Sequence, residues 1–403
     1  MSSLRVAVWH NLPFGGAKRA LYDHAKGLVD RGHAVEIWQP PLPPDPELDL
    51  APFGPVHVVP LDFALKPGIM GHITHVARLV PALRAHSEAC ARQIMGSTCD
   101  LLFANNCMYF HTPFIGRYVT DRPRALYLQD PFRALYEPMP KLALVYPPRD
   151  ASLKAKIRDR FDLPQARRRA TEELANAKAY DRVLCNSFFS RESILRAFGV
   201  SAHVCYLGIN ADRFLPARTP RERYVFGLGT LGPAKNALLA VEALGRIPAD
   251  RRPRLVWSAN MVDEVYLATV SERARVLGVD FQPIRMLPDA DVIQHLNRAG
   301  AMIYANRLEP FGLVPLEANA CGLPVVAVAE GGVRETVRDG INGLLVDPHP
   351  QAIADGVLRM LDEPGLRDRL SESAIAYVRN EWNVTRAADR LEFHLRETLA
   401  EAN

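Results

Sequence analysis

The chain has 403 residues, of which 48% are hydrophobic and 23% are charged, and its formal net charge at pH 7 is +4. This length exceeds what one core usually supports, so two domains are expected, and the ordinary composition excludes a disordered chain. The weak positive charge suits anionic substrates. Without an aromatic and basic motif, it argues against a nucleic-acid-binding protein.

The cysteines and the N-terminus indicate the compartment. The six cysteines form no C-x-x-C pair and lie mostly in apolar stretches, which indicates buried, reduced thiols. The N-terminus enters a strand directly, without the apolar region of a signal peptide, and no apolar run is long enough to cross a bilayer. These features predict a cytoplasmic protein that is not secreted and does not span a membrane.

In the first half of the chain, short apolar strands alternate with helices. Residues 4–10 and 33–39 are strand-like and enclose a helical pattern at residues 18–32. A proline-rich linker follows at residues 40–55. Such alternation predicts a parallel sheet with helices on both faces. The remaining segments are strands at 56–62, 100–106, 124–130 and 181–187 and helices at about 73–95 and 151–179.

The alternation restarts at Tyr224, after a polar stretch at residues 207–223 that is broken by proline and glycine. We therefore predict an N-terminal domain at 1–207 and a second doubly wound domain at 208–380, followed by a closing helical segment at 381–403. The strands expected in the second domain are 224–229, 254–260, 279–284, 301–306, 324–329 and 343–347.

The loop YVFGLGTLGPAKN contains Gly227, Gly229 and Gly232, which form the G-x-G-x-x-G string of dinucleotide-binding enzymes. A strand precedes this loop and a helix follows it. The next strand, however, ends at Asn260 without the carboxylate that would bind the ribose hydroxyls, which argues against a nicotinamide or flavin site. The backbone N–H groups and Lys235 favour another phosphate-bearing ligand.

A second glycine loop, NLPFGGAK, follows the first strand of the N-terminal domain. Its paired glycines, Gly15 and Gly16, allow a ligand to approach the backbone closely. Ligands of doubly wound sheets bind at the carboxyl ends of the strands, where this loop lies. A simple turn from strand to helix is the alternative interpretation.

The most informative segment contains Glu309 and Glu317, eight positions apart, with Phe-Gly-Leu at 311–313 between them. We predict that Glu309 lies in the loop before a helix that ends at Gly322, and that Glu317 lies about one turn inside that helix. Two carboxylates that flank free N–H groups suit a ligand with hydroxyls at both ends and a diphosphate in the middle. A sugar nucleotide fits this description.

These motifs, with CNSFFSRESI and the closing EWNVTRAADRLEFHL, resemble glycosyltransferase family 4 over essentially the whole chain. The resemblance implies an α/β fold of the GT-B type, with two doubly wound, Rossmann-like parallel-sheet domains facing each other across a cleft. It also implies a retaining glycosyltransferase of hexosyltransferase type. Such an enzyme moves a sugar from a nucleotide-diphosphate sugar to a saccharide, a lipid-linked glycan or a small natural-product acceptor.

The resemblance assigns roles to individual residues. Glu309 would bond the hydroxyls of the donor sugar, and Glu317 those of the ribose. Lys235 would neutralise the diphosphate leaving group, and the nucleobase would be read largely by backbone groups around residues 283–285. The implied donor-binding set is Gly15, Gly16, Gly229, Thr230, Lys235, Phe311, Gly312, Leu313 and Glu317.

Neither a cofactor nor a metal ion is expected. In this family, retention is usually ascribed to attack on the front face of the sugar, without a covalent intermediate. The chain contains one D-x-D string, at residues 289–291, and we interpret it as the N-cap and first turn of a helix.

The chain departs from the family pattern at the diphosphate. Many relatives carry Gly-Arg before the loop, whereas this chain carries Gly229-Thr230. One cation therefore remains at that position. Either Lys18, Arg19 or Arg334 compensates, or the leaving group is stabilised less strongly.

The chain also departs from the family on the acceptor side, where Asn105 replaces a histidine and Gln129-Asp130 replaces a further histidine motif. An amide bonds a hydroxyl but is not a general base, so Asp130 or the departing phosphate would take the acceptor proton. His10 and His111 are the other candidates, with a turn or capping role as the alternative. The catalytic candidates are Glu309, Lys235, Asp130 and Asn105, and the acceptor-side candidates are Gln129, Asp130 and His111.

Acceptor contacts are expected from residues 130–150, which are rich in aromatic residues and proline. The basic segment at 152–173 favours an ordinary solvated helix face, with peripheral contact to anionic lipid at the inner membrane face as the alternative.

Two other functions are alternatives for this fold. The Glu309 motif and the absence of a cofactor lysine motif argue against a phosphorylase or an epimerase of the same fold. The altered arginine and histidine positions keep open a catalytically degenerate subunit that binds sugar nucleotides as a regulatory partner.

Overall fold

The structure is a computed structural model that describes residues 2–137, 153–217 and 219–402. The chain divides into unit 1, Met1–Leu207 with Ala387–Asn403, and unit 2, Gly208–Arg386. The division after Leu207 is where the sequence analysis placed the domain boundary, but the chain leaves unit 2 at residue 386 and not at 380. The cause is a backbone pairing inside unit 2, in which the Ile209 N–H donates to the carbonyl of Trp382 at 2.7 Å.

Up to Leu207, unit 1 is an α/β domain with seven strands and six α-helices among its described residues. Short 3-10 turns at Pro46–Leu48 and Ala51–Phe53 lie in the predicted proline-rich linker. The strands are β1 Arg5–Trp9, β2 Ala34–Gln39, β3 Val56–Val58, β4 Leu101–Asn105, β5 Arg124–Tyr127, β6 Arg182–Cys185 and β7 Ala202–Val204, and the helices are α1 Gly16–Asp30, α2 Gly68–Ile73, α3 His75–Met95, α4 Arg133–Tyr136, α5 Leu153–Ala177 and α6 Phe188–Phe198.

The unit 1 sheet is parallel throughout, with strand order β3-β2-β1-β4-β5-β6-β7. Every residue of β4 is buried, as expected for a strand covered by helices on both faces. The six strands predicted for this half are present. We did not predict β7, because its three residues are too few to give a recognisable pattern.

Unit 2 is a second α/β domain, and its six predicted strands are all present in a parallel sheet of order β10-β9-β8-β11-β12-β13. The strands are β8 Tyr224–Leu228, β9 Arg254–Ala259, β10 Phe281–Arg285, β11 Ala301–Tyr304, β12 Val325–Val328 and β13 Gly343–Val346, and the helices are α7 Ala237–Leu244, α8 Glu264–Leu277, α9 Asp289–Arg298, α10 Leu313–Ala320, α11 Val333–Thr336, α12 Pro350–Asp362 and α13 Leu366–Glu381.

In both sheets the strand order reverses beside the first strand. The reversal lies between β1 and β4 in unit 1 and between β8 and β11 in unit 2. Loops that leave neighbouring parallel strands on either side of such a reversal diverge and leave a crevice at the carboxyl ends. In unit 2 these are the loop that contains Lys235 and the loop that contains Glu309. The topology therefore brings two distant parts of the sequence together.

The last helix, α14 Val384–Ala402, starts in unit 2 and packs on α1 of unit 1. The contact is close because Gly27 has no side chain: a Cβ at that position would lie 2.5 Å from the Cβ of Ala388. Next to this contact, Arg31 donates to Asp389 at 2.6 Å. The closing segment therefore completes unit 1 through a small-residue contact.

Two further features of the structure are its cysteines and its long helices. All six cysteines are buried, as predicted, and all are free thiols. Among the helices that the structure describes, none is both long and apolar enough to cross a bilayer.

We predict that Gly27→Val will lower the free energy of unfolding by about 2 kcal/mol or more, because the added side chain overlaps Ala388 and must push α14 away. Lys26→Val, at the exposed neighbouring position on α1, is the matched control and should change stability by about 0.5 kcal/mol or less. Urea unfolding followed by circular dichroism measures both. Equal losses in the two variants would show that the contact contributes nothing.

Candidate active site

The glycine string after β8 shapes a tight turn. Gly227 lies against the indole of Trp257, and a Cβ there would approach Trp257 Cε3 to 2.2 Å. Gly229 has a φ of 137°, which is unfavourable for other residues, and its carbonyl accepts from Trp257 Nε1 at 2.9 Å. The first two glycines therefore serve packing and chain reversal. The turn ends at Lys235, whose N–H donates to the carbonyl of Gly232 at 3.1 Å.

Lys235 and Glu309 form an ion pair at the strand-order reversal of unit 2. Lys235 Nζ donates to Glu309 Oε2 at 2.7 Å, and Asn306 Nδ2 donates to the same oxygen at 2.7 Å. The side chains of Lys235 and Glu309 are 29% and 17% exposed, so the pair is shielded from bulk water but still open to a ligand. Two hydrogen bonds, one of them from a cation, fix the orientation of the carboxylate.

The backbone of Glu309 is held by the loop after β12. The Gly332 N–H donates to the Glu309 carbonyl at 2.7 Å. Gly331 has a φ of 67°, and a Cβ there would lie 2.4 Å from the same carbonyl oxygen. Beside this contact, Arg307 Nε donates to Glu330 Oε2 at 2.7 Å. The loops after β11 and β12 thus form one rigid support for the carboxylate.

The helix α10 begins four residues after Glu309, as predicted from the sequence. Its N-cap is Gly312, with a φ of 100° and no side-chain cap, so the first-turn N–H groups have no acceptor within the helix. Phe311 is buried against Trp382, with ring centroids 5.5 Å apart, and its carbonyl accepts from Thr336 Oγ1 at 3.3 Å. Glu317 lies one turn inside the helix and is largely buried. This helix end is suited to an anion.

A buried amide pair fixes the far side of α10 and was not predicted. Asn342 Nδ2 donates to Asn319 Oδ1 at 2.7 Å and to the carbonyl of Thr336 at 2.9 Å. Asn319 Nδ2 in turn donates to the carbonyl of Asn342 at 2.9 Å. The signal available in the sequence was two asparagines inside otherwise apolar stretches, where buried amides need partners.

The acceptor-side candidates of unit 1 lie at the ends of β4 and β5. Asn105 is buried, and its Nδ2 has no hydrogen-bond partner among the described residues. The neighbouring Asn106 accepts from the Gln129 N–H at 2.9 Å. His111 Nδ1 lies 3.0 Å from the carbonyl oxygen of Asp130 and 3.3 Å from its Oδ1. The structure therefore brings His111 and Asp130 together as a pair.

Comparisons with known proteins agree with these observations. Residues 14–213 match the family described as Glycosyltransferase Family 4, and residues 209–377 match Glycosyl transferases group 1. The chain belongs to the family 4-like glycosyltransferases.

Among relatives of this chain, the D-inositol 3-phosphate glycosyltransferase of Acidothermus cellulolyticus is 32% identical over 251 residues, which is 56% of this chain and 55% of that protein. The protein of the same name from Thermobifida fusca is 26% identical over 394 residues, or 90% and 84% of the two chains. The chain spans between 55% and 60% of the length of the first three curated relatives that it matches.

Two solved structures are similar in fold to this chain, which has the GT-B fold. Sucrose-phosphate synthase from Thermosynechococcus elongatus has a TM-score of 0.74 at 20% identity, covering 99% of this chain and 100% of that one. Anabaena Alr3699/HepE, solved in complex with UDP and glucose, has a TM-score of 0.69 at 18% identity, covering 98% and 100%. The predicted pair of parallel-sheet domains is therefore confirmed.

The surroundings of His111 favour its charged form. Burial lowers its pKa, but the charge of Asp130, its hydrogen bond and the charge of Glu173 outweigh this effect, so that the pKa is raised above 6.5. Glu173 is fully buried, which raises the pKa of its own carboxyl, and Arg169 lies 3.1 Å from it as a counter-charge. The pair at Asp130 is therefore part of a larger buried charge network.

The remaining predicted site residues described here are His10, Gly15, Gly16 and Thr230. His10 is completely buried and accepts from the Leu12 N–H at 3.2 Å, which fits the capping alternative; burial places its pKa well below the ordinary value. Gly15 and Gly16 are exposed, and Gly15 is the N-cap of α1 with a φ of 90°. Thr230 is half-buried, and its carbonyl accepts from the Gly232 N–H.

The D-x-D string needs one correction. Pro288, and not Asp289, is the N-cap of α9, because the helix starts at Asp289 and the extended backbone of Pro288 precedes it. Asp289 pairs with Arg213. Over the part of the chain that the structure describes, no group of three or more His, Cys, Asp or Glu side chains is arranged to hold a metal ion.

The remaining predicted contacts are those of the acceptor stretch, the basic segment and the nucleobase. Residues 138–150 of the predicted acceptor stretch lie outside the described residues, as do the side chains at 152–159 of the basic segment. The expected nucleobase contact at 283–285 lies in β10, at the edge of the unit 2 sheet.

We predict that His111 will titrate above pH 6.5 and that Asp130→Asn will lower its pKa, because the variant removes the charge that stabilises the imidazolium. Because the folded pKa is raised, the pair stabilises the fold at pH values below the unfolded pKa, and this contribution is lost as pH rises through the folded pKa. Histidine-selective NMR titration measures the shift.

Asp30→Asn, at the exposed end of α1, removes one carboxylate elsewhere in unit 1 and serves as the control. An unchanged His111 titration in Asp130→Asn would show that the two side chains do not interact in solution.

Proposed function

We propose that this chain transfers a sugar from a nucleotide-diphosphate donor to a hydroxyl acceptor, with retention of configuration and without a metal ion. The observation that carries this proposal is the Lys235–Glu309 ion pair, located just before the open N-terminus of α10. One cation and a row of N–H groups suit a diphosphate, and an adjacent carboxylate suits sugar hydroxyls.

Donor binding would rearrange the ion pair. The diphosphate competes with Glu309 for Lys235, and the helix end attracts the same negative charge. Once Lys235 turns to the diphosphate, Glu309 still accepts from Asn306 and gains free lone pairs for the hydroxyls of the donor sugar. Glu317, one turn into α10, is the proposed partner of the ribose.

Departure of the nucleoside diphosphate places negative charge on its leaving oxygen while the sugar becomes oxocarbenium-like. Donors that are fixed in advance stabilise such charge by about 3 kcal/mol each, and here they would be Lys235 and the first-turn N–H groups of α10. In the proposed retaining reaction the acceptor attacks from the face that the diphosphate leaves. Glu309 would then act as a hydroxyl partner of the sugar.

The acceptor proposal concerns unit 1. The curated relatives are named for D-inositol 3-phosphate, so a phosphorylated polyol is the first acceptor class to test. Asn105 has an unpartnered Nδ2 for a ligand oxygen, and the His111–Asp130 pair offers a site for a proton. A cytoplasmic location is proposed because all six thiols are buried and unpaired.

The donor class is tested by thermal shift with UDP, GDP, ADP and TDP and their sugars, with EDTA and with magnesium. A shift for one nucleotide that persists in EDTA, followed by release of that nucleotide in the presence of D-inositol 3-phosphate, is the expected result. Binding without donor hydrolysis or transfer would favour the degenerate-subunit alternative. Activity that requires magnesium would overturn the metal-independent mechanism.

We predict that Lys235→Met will lower kcat about 100-fold, because the leaving diphosphate loses its cation. Glu309→Gln should also abolish most turnover, since the amide cannot accept at both terminal atoms as the carboxylate does. Nucleotide release measured at saturating donor reports both effects. Lys26→Met removes an exposed lysine from α1 and should retain full activity; a Lys235→Met enzyme as active as this control would contradict the assigned role.

A further inference from the structure

Unit 2 contains a second ion pair beside the pair formed by Lys235 and Glu309. Arg307 Nε donates to Glu330 Oε2 at 2.7 Å, between the loops that follow β11 and β12. The side chain of Arg307 is 40% exposed, and that of Glu330 is 17% exposed. This pair therefore joins two loops while its cation stays open to a ligand.

Arg307 lies next to the loop that is proposed to bind the diphosphate. Its N–H donates to the carbonyl of Ala234 at 2.9 Å, and Ala234 directly precedes Lys235. The neighbouring Asn306 donates to Glu309 Oε2, the oxygen that also accepts from Lys235. The segments that carry the two cations are thus hydrogen bonded to each other, so the two side chains start from neighbouring points.

The partner of this arginine, Glu330, belongs to a turn that packs against Glu309. Gly331, the next residue, is so close to the backbone of Glu309 that a Cβ there would lie 2.7 Å from its nitrogen. The helix that follows this turn, α11, bounds the space beside Gly312, which is the N-cap of α10. Arg307 is therefore held between the diphosphate loop and the turn that flanks the start of α10.

Three other cations are candidates for the role of the arginine that the diphosphate loop lacks. Lys18 and Arg19 belong to unit 1, and Lys18 is only 5% exposed. Arg334 lies in α11, where its Nε donates to the carbonyl of Gly331 at 3.1 Å. Arg307, in contrast, belongs to the same unit as the diphosphate loop and shares a backbone hydrogen bond with it.

We propose that Arg307 is the second cation of the diphosphate site and replaces the arginine that many relatives carry after Gly229. This inference rests on the proposed transferase function. An ion pair whose arginine is 40% exposed is held weakly, because water screens it, whereas a diphosphate carries more negative charge than one carboxylate. A guanidinium has five N–H donors in a planar fork and matches two oxygens of a phosphate. Arg307 would therefore turn from Glu330 to the terminal phosphate of the nucleoside diphosphate, beside Lys235.

The test measures binding of the full chain to UDP, GDP, ADP and TDP, and to the matching nucleoside monophosphates, by isothermal titration calorimetry. We expect Arg307→Met to weaken binding of the preferred nucleoside diphosphate about tenfold, because a charged donor to the phosphate is lost. Binding of the monophosphate should change by about twofold or less, since it lacks the terminal phosphate. Turnover at saturating donor should also fall about tenfold or more.

A rescue variant separates a role at the ligand from a role in folding. Thr230→Arg returns a cation to the position where many relatives carry arginine. In the Arg307→Met background it should restore binding of the nucleoside diphosphate to within about threefold of the unaltered protein, and its effect should be smaller when Arg307 is present. A purely structural loss would not be rescued, because Thr230→Arg does not replace the hydrogen bond that Glu330 has lost.

Arg359→Met is the matched control, since it removes an exposed arginine of α12 that pairs with Glu363, and it should bind the diphosphate as the unaltered protein does. Unchanged binding in Arg307→Met, or a loss that Thr230→Arg does not rescue, would overturn the inference and leave the proposed function standing. A loss in Arg334→Met but not in Arg307→Met would assign the second cation to α11 instead. If the unaltered protein binds none of the four nucleotides, the proposed function fails together with the inference.

Discussion

The ion pair between Lys235 and Glu309 is the contact on which the proposed donor site depends, and parallel sheet topology makes it possible. The two residues are 74 positions apart in the chain. They meet because β8 and β11 are neighbours in the sheet although they are not consecutive in the sequence. The strand order reverses at that place, so the two loops leave in opposite directions and the space between them is free of backbone. Each loop then contributes one charge to the same crevice.

Glycines keep these loops in place because they allow neighbouring groups to pack closely against the backbone. This adds to their ability to adopt backbone conformations that other residues rarely adopt. Gly227 admits the indole of Trp257, and Gly331 admits the backbone of Glu309. In both cases a Cβ would occupy space already filled by a neighbouring group. The loops of the proposed donor site are thus packed into the domain, so their backbone is positioned before a ligand arrives, which is the condition under which electrostatic stabilisation is most effective.

Much of this arrangement was visible in the sequence, and the reasons for the exceptions are physical. The strands of unit 2 and the start of α10 follow from local apolar patterns and from the residues that surround Glu309. The contacts of Asn306 and Asn342 could not be predicted, because they depend on which loops the sheet places side by side. The burial of Lys18 was equally hidden, since nothing local distinguishes an exposed lysine in a first helical turn from a buried one. The C-terminal end of unit 2 also differs from the predicted one by a few residues. The pairing of Ile209 with Trp382, which lies beyond the predicted end, is a contact between distant segments.

Because this chain lacks the arginine that many relatives carry beside Gly229, the Lys235–Glu309 ion pair also matters for the proposed reaction. In the proposed cycle Lys235 serves two partners in turn, Glu309 in the free protein and the diphosphate in the complex. A complete donor compensates Glu309 for the loss of Lys235, because its sugar hydroxyls donate to the freed carboxylate. A nucleoside diphosphate without its sugar offers that carboxylate no hydroxyls in exchange for Lys235. The same exchange therefore favours binding of the intact donor over binding of the nucleoside diphosphate. In the proposed cycle, transfer of the sugar thus weakens binding of the nucleotide product and promotes its release.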